Sequence, residues 1–90
     1  MAFLASKYPT CMVCSGPPGA WALVPWDNEP VNRDLLITLS RQTIVTSIPG
    51  EGHVTRYGIW FVTTRTTVRW FYEQKATRDT EYDRIIKALT

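Results

Sequence analysis

The sequence predicts a single α+β domain over residues 1–90: a small antiparallel β-sheet, a meander of about five or six strands, with a C-terminal amphipathic helix packed on one face. Three observations carry this. Residues 54–72 form an unbroken β-branched and aromatic run with one glycine and no proline, the composition of paired strands. Glycine and proline clusters at 15–19 and 49–52 punctuate apolar runs, as hairpin turns do. Tyr82, Ile85, Ile86 and Leu89 then recur at i, i+3, i+4 and i+7, one face of a helix.

Taken in order, residues 1–9 read as a poorly ordered start or an edge strand ending at Pro9. Residues 10–14 and 20–24 flank the Ser-Gly-Pro-Pro-Gly turn and predict a hairpin, with Pro25 ending its second strand or marking a sheet edge. Asp27-Asn28-Glu29-Pro30 is a loop and a possible helix start. The segment 31–41 fits a helical stripe (Val31, Leu35, Leu39) and strand alternation (Leu35, Ile37, Leu39) alike. The β-branched Ile37-Thr38 favours a strand over 34–39, separated by Ser40-Arg41-Gln42 from a second strand over 43–48. That strand turns through Pro49–Gly52 into the run beginning at Val54.

The run folds on itself at Thr63-Thr64-Arg65-Thr66. In the register this implies, Val62 faces Thr67, Phe61 faces Val68, Trp60 faces Arg69, Ile59 faces Trp70, Gly58 faces Phe71 and Tyr57 faces Tyr72, with Arg56 and Glu73 as an ion pair at the open end. A slip of one residue would move every side chain to the other face. Tyr57, Ile59, Phe61, Val68, Trp70 and Tyr72 make one apolar face, the expected core. In the closing helix Thr77 or Asp79 is the expected cap, and Asp79, Glu81 and Asp83 fill the first turn.

Hydrophobic residues make up 44% of the chain and charged residues 20%, so it can build one core and is not of disordered composition. Two cysteines are too few for a disulfide scaffold. The start MAFLASKYP has no basic region ahead of its apolar run, and no stretch of about 20 apolar residues exists, so neither a signal peptide nor a membrane span is expected. The expected location is cytoplasmic.

Catalytic signals are weak. Cys11-x-x-Cys14 has a metal-like or redox-like spacing, but His53 and scattered acids are the only further ligands, and in a strand the two thiols point to opposite faces. They read as small buried apolar residues. His53, beside Glu51 in the loop Pro-Gly-Glu-Gly-His, lacks a nucleophile or second acid and reads as an exposed loop histidine. That loop matches no phosphate-binding pattern. No catalytic residue, metal site or cofactor is expected, so the chain is read as a non-enzyme.

What remains is the second face of the central hairpin: Arg56, Trp60, Arg69 and Phe71, with Arg65 at its tip. From Val54 to Arg78 five basic residues stand against Glu73 alone. Either the N-terminal hairpin covers this face or a partner meets it. Trp, Tyr and Arg are the residues enriched at protein-protein hot spots. The expected function is therefore that of a small adaptor or inhibitor, binding another protein or a second copy of itself. The alternative is a nucleic-acid-binding protein, with bases stacked on the aromatics and phosphates on the arginines.

Overall fold

The central hairpin has the register its side chains imply. In the computed structural model, which describes residues 3–17, 20–48, 50 and 52–90, the six pairs from Tyr57–Tyr72 to Val62–Thr67 are those expected. The turn is closed locally: the Thr63 amide donates to Thr66 O (2.9 Å), and the Thr66 amide donates to Thr63 Oγ1 (3.1 Å). The ladder stops at Tyr57–Tyr72, one pair short of the expected Arg56–Glu73 ion pair. Arg56 instead turns to the N-terminal hairpin and donates to Met12 O.

The element order is β1 (Phe3–Leu4), β2 (Thr10–Ser15), β3 (Ala22–Asp27), β4 (Val31–Asn32), a 3-10 turn (Arg33–Leu35), β5 (Leu36–Ile48), β6 (Gly52–Thr63), β7 (Thr67–Tyr72) and α1 (Lys75–Leu89). These seven strands form three antiparallel sheets: β1–β4, β2–β3 and the meander β5–β6–β7. The fold is α+β with a C-terminal helix on the sheet, as expected. Two of the strands are two-residue bridges, which accounts for a count above five or six.

Three expectations change. The hairpin β2–β3 extends further than 10–14 and 20–24, and Pro25 lies within β3 opposite Met12; among the described residues β3 pairs with β2 alone, and an edge strand tolerates a residue without an N–H. The predicted break at Ser40-Arg41-Gln42 does not exist. Leu36–Ile48 is one 13-residue strand, irregular only between Leu36 and Thr38. Polar residues suggested a loop, but β6 offers an unbroken ladder, and Arg41 satisfies its charge on α1, 3.7 Å from Asp79 and 5.1 Å from the Tyr82 ring centroid.

The third change concerns α1. It begins at Lys75, with Gln74 as N-cap and no side-chain cap, so Thr77 and Asp79 lie inside it. Glu81 is then in the second turn and only 2% exposed, not in a solvated first turn. Ile86, expected on the inner stripe, is 36% exposed, because Arg78, Glu81 and Ile85 take the buried positions. Arg78 donates to Gln42 O (2.8 Å) and to Asp79 Oδ1 (2.6 Å) and lies 5.6 Å from the Tyr57 ring centroid. The Arg78 hydrogen bond holds the Asp79 carboxyl below the usual carboxylate range.

The core is the predicted face. Ile59, Phe61, Trp70, Tyr72 and Ile85 are buried with Leu4 and Val31, and Leu36, Leu39, Val68, Tyr82 and Leu89 pack around them. The N-terminal segment is strapped across this core by polar bonds. The Lys7 amide donates to Glu81 Oε1 (2.8 Å), Arg84 to Ala5 O (2.9 Å), and Ser6 Oγ bonds Tyr72 Oη (3.1 Å). Among the described residues no helix is long and apolar enough to cross a membrane.

Candidate functional site

The second face of the meander is half covered, and the way it is covered builds a groove. In an antiparallel strand, alternate residues point both N–H and C=O to the same side. Phe71 and Arg69 point theirs away from β6, at the outer edge of β7. Asn28 closes that edge as a strand would: the Phe71 amide donates to its Oδ1 (2.9 Å), and its Nδ2 donates to Phe71 O (3.1 Å). One residue pair along, Trp26 Nε1 donates to Arg69 O (2.9 Å). Asn28 Nδ2 also donates to Tyr8 O (2.7 Å), which fixes the root of the β2–β3 hairpin. Arg56, on Met12 O, ties the hairpin to β6.

Between hairpin and sheet lies an apolar groove of about 270 Å³, walled by Val13, Val24, Ile44, Trp60 and Phe71 and flanked by Arg56 and Arg69. Its aromatic floor is ordered by edge contacts. Phe71 meets Trp26 at 5.1 Å and 86° and Trp60 at 5.3 Å and 72°. The Arg69 guanidinium carbon stands 5.5 Å from the Trp60 ring centroid, a cation-π distance.

Gly58 is what lets Trp60 lie flat along the floor. A Cβ at residue 58 would come 2.0 Å from Trp60 Cζ3, so the ring and a side chain there exclude each other. Gly58→Ala should therefore evict the Trp60 ring and lower stability by about 1–3 kcal/mol. Urea unfolding measures the loss, and an unchanged midpoint would show that Trp60 does not depend on Gly58.

Of the residues singled out from sequence, Arg56, Trp60, Arg69 and Phe71 meet at this groove. Arg65 does not. It sits in the β6–β7 turn, and the seven steps along β6 from Arg56 to Thr63 span about 23 Å at 3.3 Å per residue. The residues that sequence reading missed come from the other layer: Val13, Val24, Trp26 and Asn28, with Ile44 from β5. One signal pointed to them. A sheet face with two large aromatics needs a covering layer, and the N-terminal hairpin was the segment left to supply it.

Cys11 and Cys14 are free thiols, Cys11 buried and Cys14 half-buried, on opposite faces of β2. Burial pushes the Cys11 thiol up, which makes it a poor nucleophile. Among the described residues no three His, Cys, Asp or Glu side chains gather where a metal ion would be held. His53 is exposed in β6, and its Nδ1 lies 2.8 Å from Ser47 Oγ on the facing strand. The hydroxyl partner was not foreseen. Both residues are on open surface, with no described carboxylate bonded to the imidazole. Glu51, expected beside His53, lies outside the described residues, as do Pro49 of the same loop and Pro18 and Gly19 of the first hairpin turn.

Comparison with known proteins adds no relative: no protein-family model matches the chain, and no curated protein or solved structure matches it. The class that fold and site define is a small α+β domain with a two-layered apolar groove rimmed by arginine.

Proposed function

We propose that the chain is a non-enzymatic binding protein of adaptor or inhibitor type, which seats a segment of a protein partner in the groove between the β2–β3 hairpin and the sheet. The observation that carries this is the pairing of an aromatic and aliphatic floor with two guanidinium groups at its rim. At about 270 Å³ the groove is slightly below the size of ordinary small-molecule sites, about 300–1,000 Å³. It suits an anchoring side chain better than a cofactor. Arg56 and Arg69 favour an apolar anchor next to a carboxylate, and Trp60 and Phe71 are of the type that dominates binding energy.

The nucleic-acid reading uses the same residues and ranks second for a geometric reason. Base stacking needs an open ring face. Here Trp60 lies against Gly58 and near the Arg69 guanidinium, and Phe71 is met edgewise by two tryptophans.

One experiment separates the two. A random peptide library selected on the wild-type domain should yield apolar sequences with an adjacent acid. Their affinity should fall about 30-fold on Trp60→Ala, the equivalent of a 2 kcal/mol hot spot. Labelled single- and double-stranded oligonucleotides at low and high salt form the second arm. Binding that falls steeply with salt and disappears on Arg69→Ala would put nucleic acid first, since phosphate contacts release counterions. Failure of the library to converge on any sequence would remove the peptide reading.

A further inference from the structure

The two edges of the meander are unlike. The β7 edge is sealed by Trp26 and Asn28. The other edge belongs to β5, which has 13 residues, contains no proline, and carries a single charge, Arg41, already turned onto Asp79 and Tyr82. Among the described residues, no backbone hydrogen bond reaches the outer side of Leu36–Ile48. An open edge of this length spans about 43 Å at 3.3 Å per residue, and its row of unpaired N–H and C=O groups is a ready template for pairing with another chain.

The alternation of the ladder says which groups are free. Phe71 points its backbone groups outward to Asn28, so its neighbour Gly58 points its own toward β5, and Gln42 returns them. Arg78, which reaches both Gln42 O and Gly58 O from the helix side, finds these carbonyls between the two strands. The backbone groups turned outward along β5 are therefore those of Leu39, Arg41, Thr43, Val45 and Ser47.

We propose that this edge pairs antiparallel with the same edge of a second copy of the chain, across a two-fold axis at Gln42. Between Thr38 and Thr46 most positions of the strand meet their like in that register. Thr38 meets Thr46, Leu39 meets Val45, Arg41 meets Thr43 and Gln42 meets Gln42, with Ser40 opposite Ile44 as the mixed pair. The outward-pointing backbone groups of one copy then face those of the other, and the two arginines avoid each other.

A side chain left bare in the monomer supports the same register. Val45 is 60% exposed, though it lies in a strand. Tyr82 sits on the β5 side of α1, beneath Arg41, and Ile86 follows one turn later on the same stripe. Pairing brings the partner's arm, with its Val45, over Leu39 beside this stripe. The result is a continuous six-stranded sheet. Leu39, Arg41, Thr43 and Val45 alternate with Ile44 and Thr46, the β5 residues that line the groove, so the side chains changed in the test below lie on the opposite face from it.

The test is mass measured by light scattering or sedimentation over a wide concentration range. The wild type should move to twice the monomer mass with rising concentration. Thr43→Pro removes one outward N–H without touching the ladder to β6, a position where edge strands accept proline, and should stay at monomer mass with unchanged far-UV circular dichroism. Should that variant unfold, Val45→Lys replaces it, placing a charge against Leu39 of the partner. A wild type that stays monomeric at hundreds of micromolar, or a folded variant that dimerises like wild type, overturns the proposal. Peptide affinity of the monomeric variant should match wild type, so this result and that of the groove are read independently.

Discussion

Trp70→Ala should cost about 3–5 kcal/mol, against a total of about 5–15 kcal/mol for a domain of ordinary stability. The side chain is fully buried and among the largest in the core. It packs at 4.5 Å and 56° on Phe61, and its Nε1 donates to Glu29 O at 2.6 Å. Truncation thus opens a cavity and also strands the acceptor that holds the β3–β4 connection. The adjacent Phe71→Ala should cost less, about 1–2 kcal/mol, because its ring is only partly buried. Urea midpoints of the two variants compare the faces directly. Equal losses would mean that the second face is as closed as the core, and the groove would lose its basis.

Glu81→Ala should cost about 2–3 kcal/mol. The carboxylate is 2% exposed and receives the Lys7 amide and both Nε and NH2 of Arg84. Its removal leaves a backbone N–H and a guanidinium without their acceptor. Arg84 is 33% exposed, so water takes up part of its charge, and the loss stays below that of a fully buried pair. Glu81→Gln keeps one acceptor and should lose about half as much. The specific signature lies in hydrogen exchange: in Glu81→Ala the Lys7 amide should exchange faster, while the amides of the Ile59–Trp70 pair keep their protection. Uniform acceleration would indicate that Glu81 supports the whole core rather than the strap.

The site was legible in proportion to how local its parts are. Trp60, Arg69, Phe71 and Arg56 were readable because strand alternation and hairpin register assign faces from sequence alone. Trp26 and Asn28 were not. Asn28 looked like a loop residue or a helix cap, and its use as a two-ended bridge to Phe71 depends on where residues 8 and 71 lie in space. The Ser47–His53 contact was hidden because His53 was expected in the loop before a strand beginning at Val54, whereas β6 begins at Gly52 and sets His53 opposite Ser47.

The central hairpin, the core face of Tyr57, Ile59, Phe61, Trp70 and Tyr72, and the helix after it were determined by the sequence itself. Period-2 alternation with matched cross-strand pairs admits one register, and an apolar stripe at helical spacing requires one partner face. Only the tertiary structure decided that residues 36–48 form a single strand, that Arg78 and Glu81 face inward, and that the N-terminal hairpin roofs the groove. Those outcomes rest on hydrogen-bond and charge partners many residues away. An unbroken ladder from β6 carries polar residues through a strand, and a charge is buried when its partner arrives from another segment, which local composition does not encode.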